Sequence, residues 1–315
     1  MKTILVPIDF SASSRNSFCY ALELASRSNA EVILFNVFFP VMSPPATYEA
    51  ADVIVALEEG KVKELELFSD ASRKGICDET RLQAAATAAT DVSEKIAALD
   101  KVKVRCVAKM GGSYEKILEA ITQYQVDLVV MGMQTGEAVS QAILGSTTIS
   151  VMQESQVPVL AIPQGVTFRS FKSVVFAINL RKLPATADLH LLRDFVKMLG
   201  AKLEVLHLYR TNEQYDKFNA QPALEALAAN LEGIAYDVSF DICPDVAAGI
   251  QEFIREQEAD LLVMIPQKHN FFERLLDKSI TGQITAHPLV PLLALPSGIL
   301  EQLREKREES APAVH

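Results

Sequence analysis

Short runs of apolar residues, each closed by a polar one, recur along the chain and alternate with stretches whose apolar positions fall three and four apart. The first run, Thr3-Ile4-Leu5-Val6-Pro7-Ile8, ends at Asp9; a later one, Ser173-Val174-Val175-Phe176-Ala177-Ile178, ends at Asn179. Runs that are apolar on both faces read as strands of a parallel sheet covered by helices. A helical pattern follows each: from near Ser13, with Phe18, Leu22 and Ala25 on one face, and over Leu189, Leu192, Phe195, Val196 and Leu199, where Gly200 is a natural stop. Second strands are predicted over residues 30–37 and 201–208.

These pairs are parts of one repeat. Val126-Asp127-Leu128-Val129-Val130-Met131 corresponds to Ala259-Asp260-Leu261-Leu262-Val263-Met264, with Asp260 133 residues after Asp127. The same offset joins Val157-Pro158-Val159-Leu160-Ala161-Ile162-Pro163 to Val290-Pro291-Leu292-Leu293-Ala294-Leu295-Pro296. Asn179 follows Asp9 by 170, so the first copy carries 37 extra residues, within about 40–100. That region opens on Pro44-Pro45 and, being rich in Ala, Glu, Lys and Leu, predicts helices over 53–68 and 80–99, an ordinary addition to the fold or else a lid or partner surface. Regular alternation of strand and helix implies an α/β fold: two tandem doubly wound parallel-sheet domains of about five strands each, with ligands beyond the carboxyl ends of the strands. The domains are set at 1–165 and 170–298, joined by a short linker around 164–169, with a charged tail over 299–315.

Composition narrows the function. A length of 315 residues with 49% hydrophobic content suits two folded domains, and no apolar run reaches the roughly 18 residues of a membrane span. A formal net charge of -10 without a Lys/Arg block disfavours nucleic acid as the main partner. Cys19, Cys77, Cys106 and Cys243 are scattered, and the five histidines show no metal-ligand spacing, which fits a reducing cytoplasmic setting and makes a metalloenzyme a poor reading.

Candidate chemistry gathers after the fourth strand of the first copy. Gly132-Met133-Gln134-Thr135-Gly136 is followed by Ile143-Leu144-Gly145-Ser146-Thr147 at the head of a helical stretch. A glycine lets backbone approach an anion, and free amides at a helix start, with hydroxyls beside them, donate to phosphate oxygens. Taken alone, these residues are better explained by a glycine that ends a strand and another that turns the chain.

The spacing of Gly132, Thr135, Gly145 and Ser146 resembles the Gly-x2-Gly-x9-Gly-[Ser/Thr] motif of nucleotide-binding universal stress proteins, with Thr135 in place of the second glycine. Pro7-Ile8-Asp9-Phe10-Ser11 and Met110-Gly111-Gly112-Ser113-Tyr114-Glu115-Lys116-Ile117 are similar to that family's first-strand ending and to the approach to its third helix. The resemblance implies a fold of the adenine nucleotide α-hydrolase-like type. It also implies a site for ATP or another adenine nucleotide, with or without Mg, formed by Pro7, Ile8, Asp9, Ser11, Val37, Met131, Gly132, Thr135, Gly145, Ser146 and Thr147. Asp9 would lie near the nucleoside, the Val37 backbone at the adenine edge, and Gly132, Gly145, Ser146 and Thr147 on ribose and phosphates.

The β-carbon of Thr135 narrows that approach. In the second copy Ile265, Lys268 and Lys278 stand for Gly132, Thr135 and Gly145, Asn179 stands for Asp9, and Ser279 alone keeps its counterpart's identity. Lys268, His269, Arg274 and Lys278, with the pairs Phe271-Phe272 and Leu275-Leu276, read as an amphipathic helix with a solvated basic face. By the resemblance, the closing strands 157–162 and 290–295 would pair within the chain as a pseudo-dimer, alone or in a further homodimer.

Three functions are expected in descending order. The first is a regulatory stress-response protein that senses adenine nucleotide in its first domain and answers to a protein partner. The second is a tandem scaffold acting through protein contacts alone. The third is an adenylating enzyme, which calls for a Ser-Gly-Gly-x-Asp-Ser type loop where this chain has Asp9-Phe10-Ser11-Ala12-Ser13-Ser14. With no Gly-x4-Gly-Lys-[Ser/Thr] loop, catalysis is expected to be absent or limited to slow ATP hydrolysis.

Overall fold

The computed structural model describes residues 1–39, 50–87, 92–135, 142–143, 145–163, 165, 166, 168, 170–183, 188–266, 290–296 and 298. By its contacts the chain divides into two units. The first comprises Met1–Gln134, Gly145–Val151 and Val159–Phe168; the second comprises Thr135–Leu144, Met152–Pro158 and Arg169–His315.

In chain order the first half runs β1 (Thr3–Pro7), α1 (Ala12–Ser28), β2 (Glu31–Phe38), α2 (Ala50–Thr87), α3 (Val92–Asp100), β3 (Val104–Met110), α4 (Ser113–Gln123) and β4 (Leu128–Gly132). A ribbon of β5 (Gln134–Thr135) and β6 (Ala142–Ile143) follows, then α5 (Ser146–Glu154) and β7 (Val159–Ile162). Its parallel strands lie in the order β3-β2-β1-β4-β7. β1 therefore sits where successive strands depart to opposite sides, the switch point at which such sheets bind ligands. Ile4, Leu5 and Val6 of β1 are wholly buried, as a strand covered on both faces requires.

The second half runs β8 (Ser173–Ala177), α6 (His190–Leu199), β9 (Lys202–Tyr209), α7 (Asn212–Lys217), α8 (Gln221–Asn230), β10 (Tyr236–Ile242), α9 (Val246–Glu256), β11 (Leu261–Met264) and β12 (Leu292–Ala294). Its parallel order, β10-β9-β8-β11-β12, repeats that of the first unit. One carboxylate fixes the start of each first strand. Asp127 accepts from the amides of Lys2 and Thr3, and Asp260 from those of Lys172 and Ser173, the latter two at 2.8 and 3.0 Å. The Asp shared by the two copies of the motif is thus a strand clamp. Gly200 ends α6 in the left-handed region at φ 63, where a β-carbon is disfavoured.

The insertion lies between the second and third strands of the first unit. β2 ends at Phe38 and β3 begins at Val104, whereas β9 ends at Tyr209 and β10 begins at Tyr236. The expectation of helices over 53–68 and 80–99 is corrected, because α2 runs unbroken from Ala50 to Thr87 and α3 covers Val92–Asp100. Gly60 and Gly75 cost a helix about 1 kcal/mol each, and the surrounding Ala, Glu, Lys and Leu outweigh them. Arg73 ties the pair together by donating to the carbonyls of Leu99 and Val102 at 3.0 and 2.6 Å. No helix among the described residues is long and apolar enough to cross a membrane. The charged tail and the basic stretch around Lys268 lie outside the described residues.

Candidate functional site

The loop after β1 is built on serines. Ser11 caps α1, its side chain accepting from the Ser14 amide at 3.1 Å, and the Ser11 amide and hydroxyl donate to Asp9 Oδ1 at 3.0 and 2.6 Å. Burial pushes the Asp9 carboxyl up, but these bonds, joined by Ser14, outweigh it and hold the group below its ordinary value. Asp9 is ionised at neutral pH, with Oδ1 committed to the loop. Phe10 between them takes φ 63, unusual for a bulky side chain. Its ring meets Phe68 of α2 edge-on at 5.6 Å, and the Lys61 ammonium lies 5.8 Å from its centroid.

Gly132, at the end of β4, answers to the chain itself. A β-carbon there would lie 2.1 Å from Ser13 Oγ and 2.9 Å from the Ser13 backbone, and Ser13 Oγ donates to the Met133 carbonyl at 2.8 Å. Its bare Cα is therefore accounted for by the close approach of α1, whose Ser13, Ser14 and Ser17 are buried. Gly145 is the opposite case. No described atom lies within 4 Å of where its side chain would be, and its carbonyl accepts from the Ile149 amide at 3.0 Å, which makes it the residue that opens α5. Ser146 at the first helical position is exposed and Thr147 half-buried, so the first-turn amides, which have no partner within the helix, carry hydroxyls beside them.

At the end of β2 a residue absent from the sequence-based set decides the backbone geometry. The Ile8 amide donates to the Phe35 carbonyl at 2.9 Å, and the next rung of a parallel ladder would send the Val37 amide to the Ile8 carbonyl. Asn36 takes that place, its Nδ2 donating to the Ile8 carbonyl at 2.8 Å. β1 stops at Pro7, and the Val37 backbone is left beside the switch point without that rung. Asn36 Oδ1 is buried and accepts no hydrogen bond among the described residues. The signal for Asn36 was available as a polar residue inside Ile33-Leu34-Phe35-Asn36-Val37, matched by His207 in the second copy.

Pro7, Ile8, Asp9, Ser11, Val37, Met131 and Gly132 thus fall at the carboxyl ends of three adjacent strands of the first unit, and Gly145, Ser146 and Thr147 at the head of α5. Thr135 closes β5 within the part of the chain that groups by its contacts with the second unit.

The second unit differs at several of these places. Asn179 caps a 3-10 turn, Leu180–Lys182, by accepting from the Arg181 amide at 3.1 Å, and α6 begins only at His190. Ile265 is a buried apolar side chain where the first unit has Gly132. His207 replaces Asn36, with Nδ1 3.1 Å from the Ile178 carbonyl and the ring among Tyr209, Phe218 and Phe240. Lys268, Lys278 and Ser279 lie outside the described residues.

The universal stress protein family model matches residues 1–163 and again 170–296. The chain belongs to the universal stress protein family. It carries two such domains in tandem. A universal stress protein from Archaeoglobus fulgidus DSM 4304 is similar over 94% of this chain and 98% of its own, with TM-score 0.60 at 19% identity. A functionally unknown protein from Pseudomonas aeruginosa PAO1 covers 98% of each chain, with TM-score 0.56 at 14% identity. At these identities the likeness is one of fold. The universal stress protein from Archaeoglobus fulgidus in complex with dAMP covers 40% of this chain and 99% of its own, with TM-score 0.31 at 14% identity. No curated protein sequence matches the chain.

Proposed function

We propose that the first unit binds ATP or another adenine nucleotide and that the chain is a regulatory stress-response protein whose affinity for a protein partner changes on binding. The observation that carries this reading is the lack of any described atom within 4 Å of a Gly145 side-chain position at the amino end of α5, where helix amides and the hydroxyls of Ser146 and Thr147 suit a phosphate. Two further features fit the rest of the ligand. The Val37 backbone, relieved of its rung, offers a donor and an acceptor to the edge of an adenine ring, and the orphan acceptor Asn36 Oδ1 suits an exocyclic amine. Asp9, with Oδ1 taken by Ser11, keeps its second oxygen for a ribose hydroxyl.

Equilibrium titration of the full chain with labelled ATP, ADP and AMP tests the reading, alongside Gly145→Val. Micromolar binding lost in the variant is expected. Absence of binding at millimolar nucleotide would sink it and leave the tandem scaffold, which the exposed apolar side chains Val53, Val55, Leu57 and Leu67 of α2 favour. In single-turnover experiments little or no ADP is expected, since the first turn of α5, Ser146-Thr147-Thr148, supplies neither a base nor a cation.

A further inference from the structure

β3 is the outer strand of the first unit's sheet, and α2 runs alongside it. Between them lies an open groove of about 420 Å³, walled by Val55, Glu58, Glu59, Val62 and Glu66 of α2 and floored by residues 106–109, with Tyr124 beside them. In the second unit the connection from β9 to the outer strand β10 carries the shorter helices α7 and α8 instead.

The ladder fixes which backbone groups face this groove. The Val32 amide donates to the Lys103 carbonyl and the Gly111 amide to the Phe38 carbonyl, so the odd-numbered residues of β3 point to β2. In a parallel pair alternate residues face opposite sides, which turns the amides and carbonyls of Val104, Cys106, Ala108 and Met110 outward. Met110 bears this out, its amide donating to Glu58 Oε1 at 3.2 Å. No described strand pairs with the outward groups of Cys106 and Ala108, which stand at the middle of the groove floor. A free strand edge with side-chain walls is the substrate of strand addition.

Charge selects the occupant. Glu58 is neutralised by Lys109, whose Nζ lies 2.7 Å from Oε2. Glu59 and Glu66 are exposed, with Lys63 as the other cation of the lining, and Asp70 follows one turn beyond Glu66. Their field reaches the floor: burial first, then Glu66 and Asp70, push the Cys106 thiol up to about 11 against the opposing charge of Arg73. Two carboxylates seven residues apart on a helix are separated by about 10 Å along its axis, within reach of long cationic side chains that recur every ~7 Å along a strand.

The geometry points to this groove as a docking site for an extended, lysine- or arginine-bearing segment of a partner protein, which adds as a strand along β3. The inference is independent of the nucleotide reading, since Asp9, Val37 and Gly145 take no part in it.

The test uses the full chain and two fluorescent capped peptides, one alternating valine with lysine and one alternating valine with glutamate. Saturable binding of the lysine peptide is expected, weakened at least tenfold for the glutamate peptide and at least tenfold in Glu59→Lys/Glu66→Lys. Both carboxylates are exposed, so the double variant should keep its urea midpoint. In amide-resolved hydrogen exchange the lysine peptide should slow Cys106 and Ala108 and leave Val107 and Lys109 unchanged. Failure of both peptides to bind, equal binding of the two, or slowing spread evenly over 106–109 each overturns the proposal. Slowing of Cys106 and Ala108 that grows with protein concentration alone also overturns it, because a second copy is then the occupant.

Discussion

Two glycines of one motif have opposite surroundings, and substitution should separate them. Alanine at Gly132 drives a methyl group into Ser13 Oγ and the backbone behind it, a clash that costs about 1–3 kcal/mol. Gly132→Ala should lower the urea midpoint accordingly, and adding Ser13→Ala should recover only part, since the backbone contact stays. Gly145→Asp should do the reverse: a carboxylate at the head of α5 stabilises the helix by about 0.5–1 kcal/mol while repelling an anion there. A variant at least as stable as the parent that has lost nucleotide affinity is the expected result, and unimpaired affinity would remove phosphate from this position. His207 yields a prediction in pH. Burial first, and Arg181 with it, hold the ring below its ordinary value against the opposing bond to the Ile178 carbonyl. The unfolded chain takes up the proton near pH 6.5, so the stability this group confers is full above that value and is lost as pH falls toward the folded value. His207→Asn, which installs the first unit's residue, should flatten the fall in urea midpoint as pH drops below about 6.5. An unchanged slope would place the acid sensitivity elsewhere.

At the scale of elements, α2 connects the site to the insertion. Phe68 is half-buried against Phe10, Phe18 and the Arg15 guanidinium, and Phe10 lies between Asp9 and Ser11 in a strained backbone conformation. Phe68→Ala removes roughly half a phenylalanine's burial, about 2 kcal/mol, and releases the loop from α2. The expected outcome is a lower urea midpoint together with faster amide exchange in both α2 and the Asp9–Ser11 turn; faster exchange in α2 alone would show that the ring contact does not hold the loop. The continuity of α2 is a correction to what composition implied, because helix propensity identifies the state of a stretch and says little about where one helix stops and the next starts. The helix expected over Leu189 to Leu199 is observed as α6, His190–Leu199. Leu189 through Leu199 announce the helix, while nothing local shows that Asn179 would instead cap a 3-10 turn and leave the sheet end without a helix terminus.

For the molecule as a whole, the residues proposed to hold a nucleotide in the first unit include Asp9, Gly132, Thr135 and Gly145, where the second copy has Asn179, Ile265, Lys268 and Lys278. A ligand specific to the first set should stabilise that unit by about 2.7 kcal/mol at a concentration one hundred times its dissociation constant. With ATP, hydrogen exchange should therefore slow in β1, β2, β4 and the head of α5 and stay unchanged in β8, β9 and β11. Equal slowing in both sets would assign the second unit a site of its own. The repeat rests on the alternation of strand and helix and on the two copies of the Asp-Leu and Val-Pro motifs, each of which was readable from residue identity and spacing alone.

What the sequence by itself determined is whatever local periodicity and repetition encode: about five strands in each copy, their helices, the doubling of the domain, and the glycine-serine segment that opens α5. What only the tertiary structure decided are neighbours across long stretches of chain. Ser13 meets Gly132 over more than a hundred residues, Asn36 takes the rung of Val37, and β3 is left as an outer strand beside α2. Burial patterns tell each side chain whether it faces solvent or core, but which partner it meets there is set by strand order and by how closely the backbones approach. That is why one glycine of the motif proves to serve packing and another faces open space.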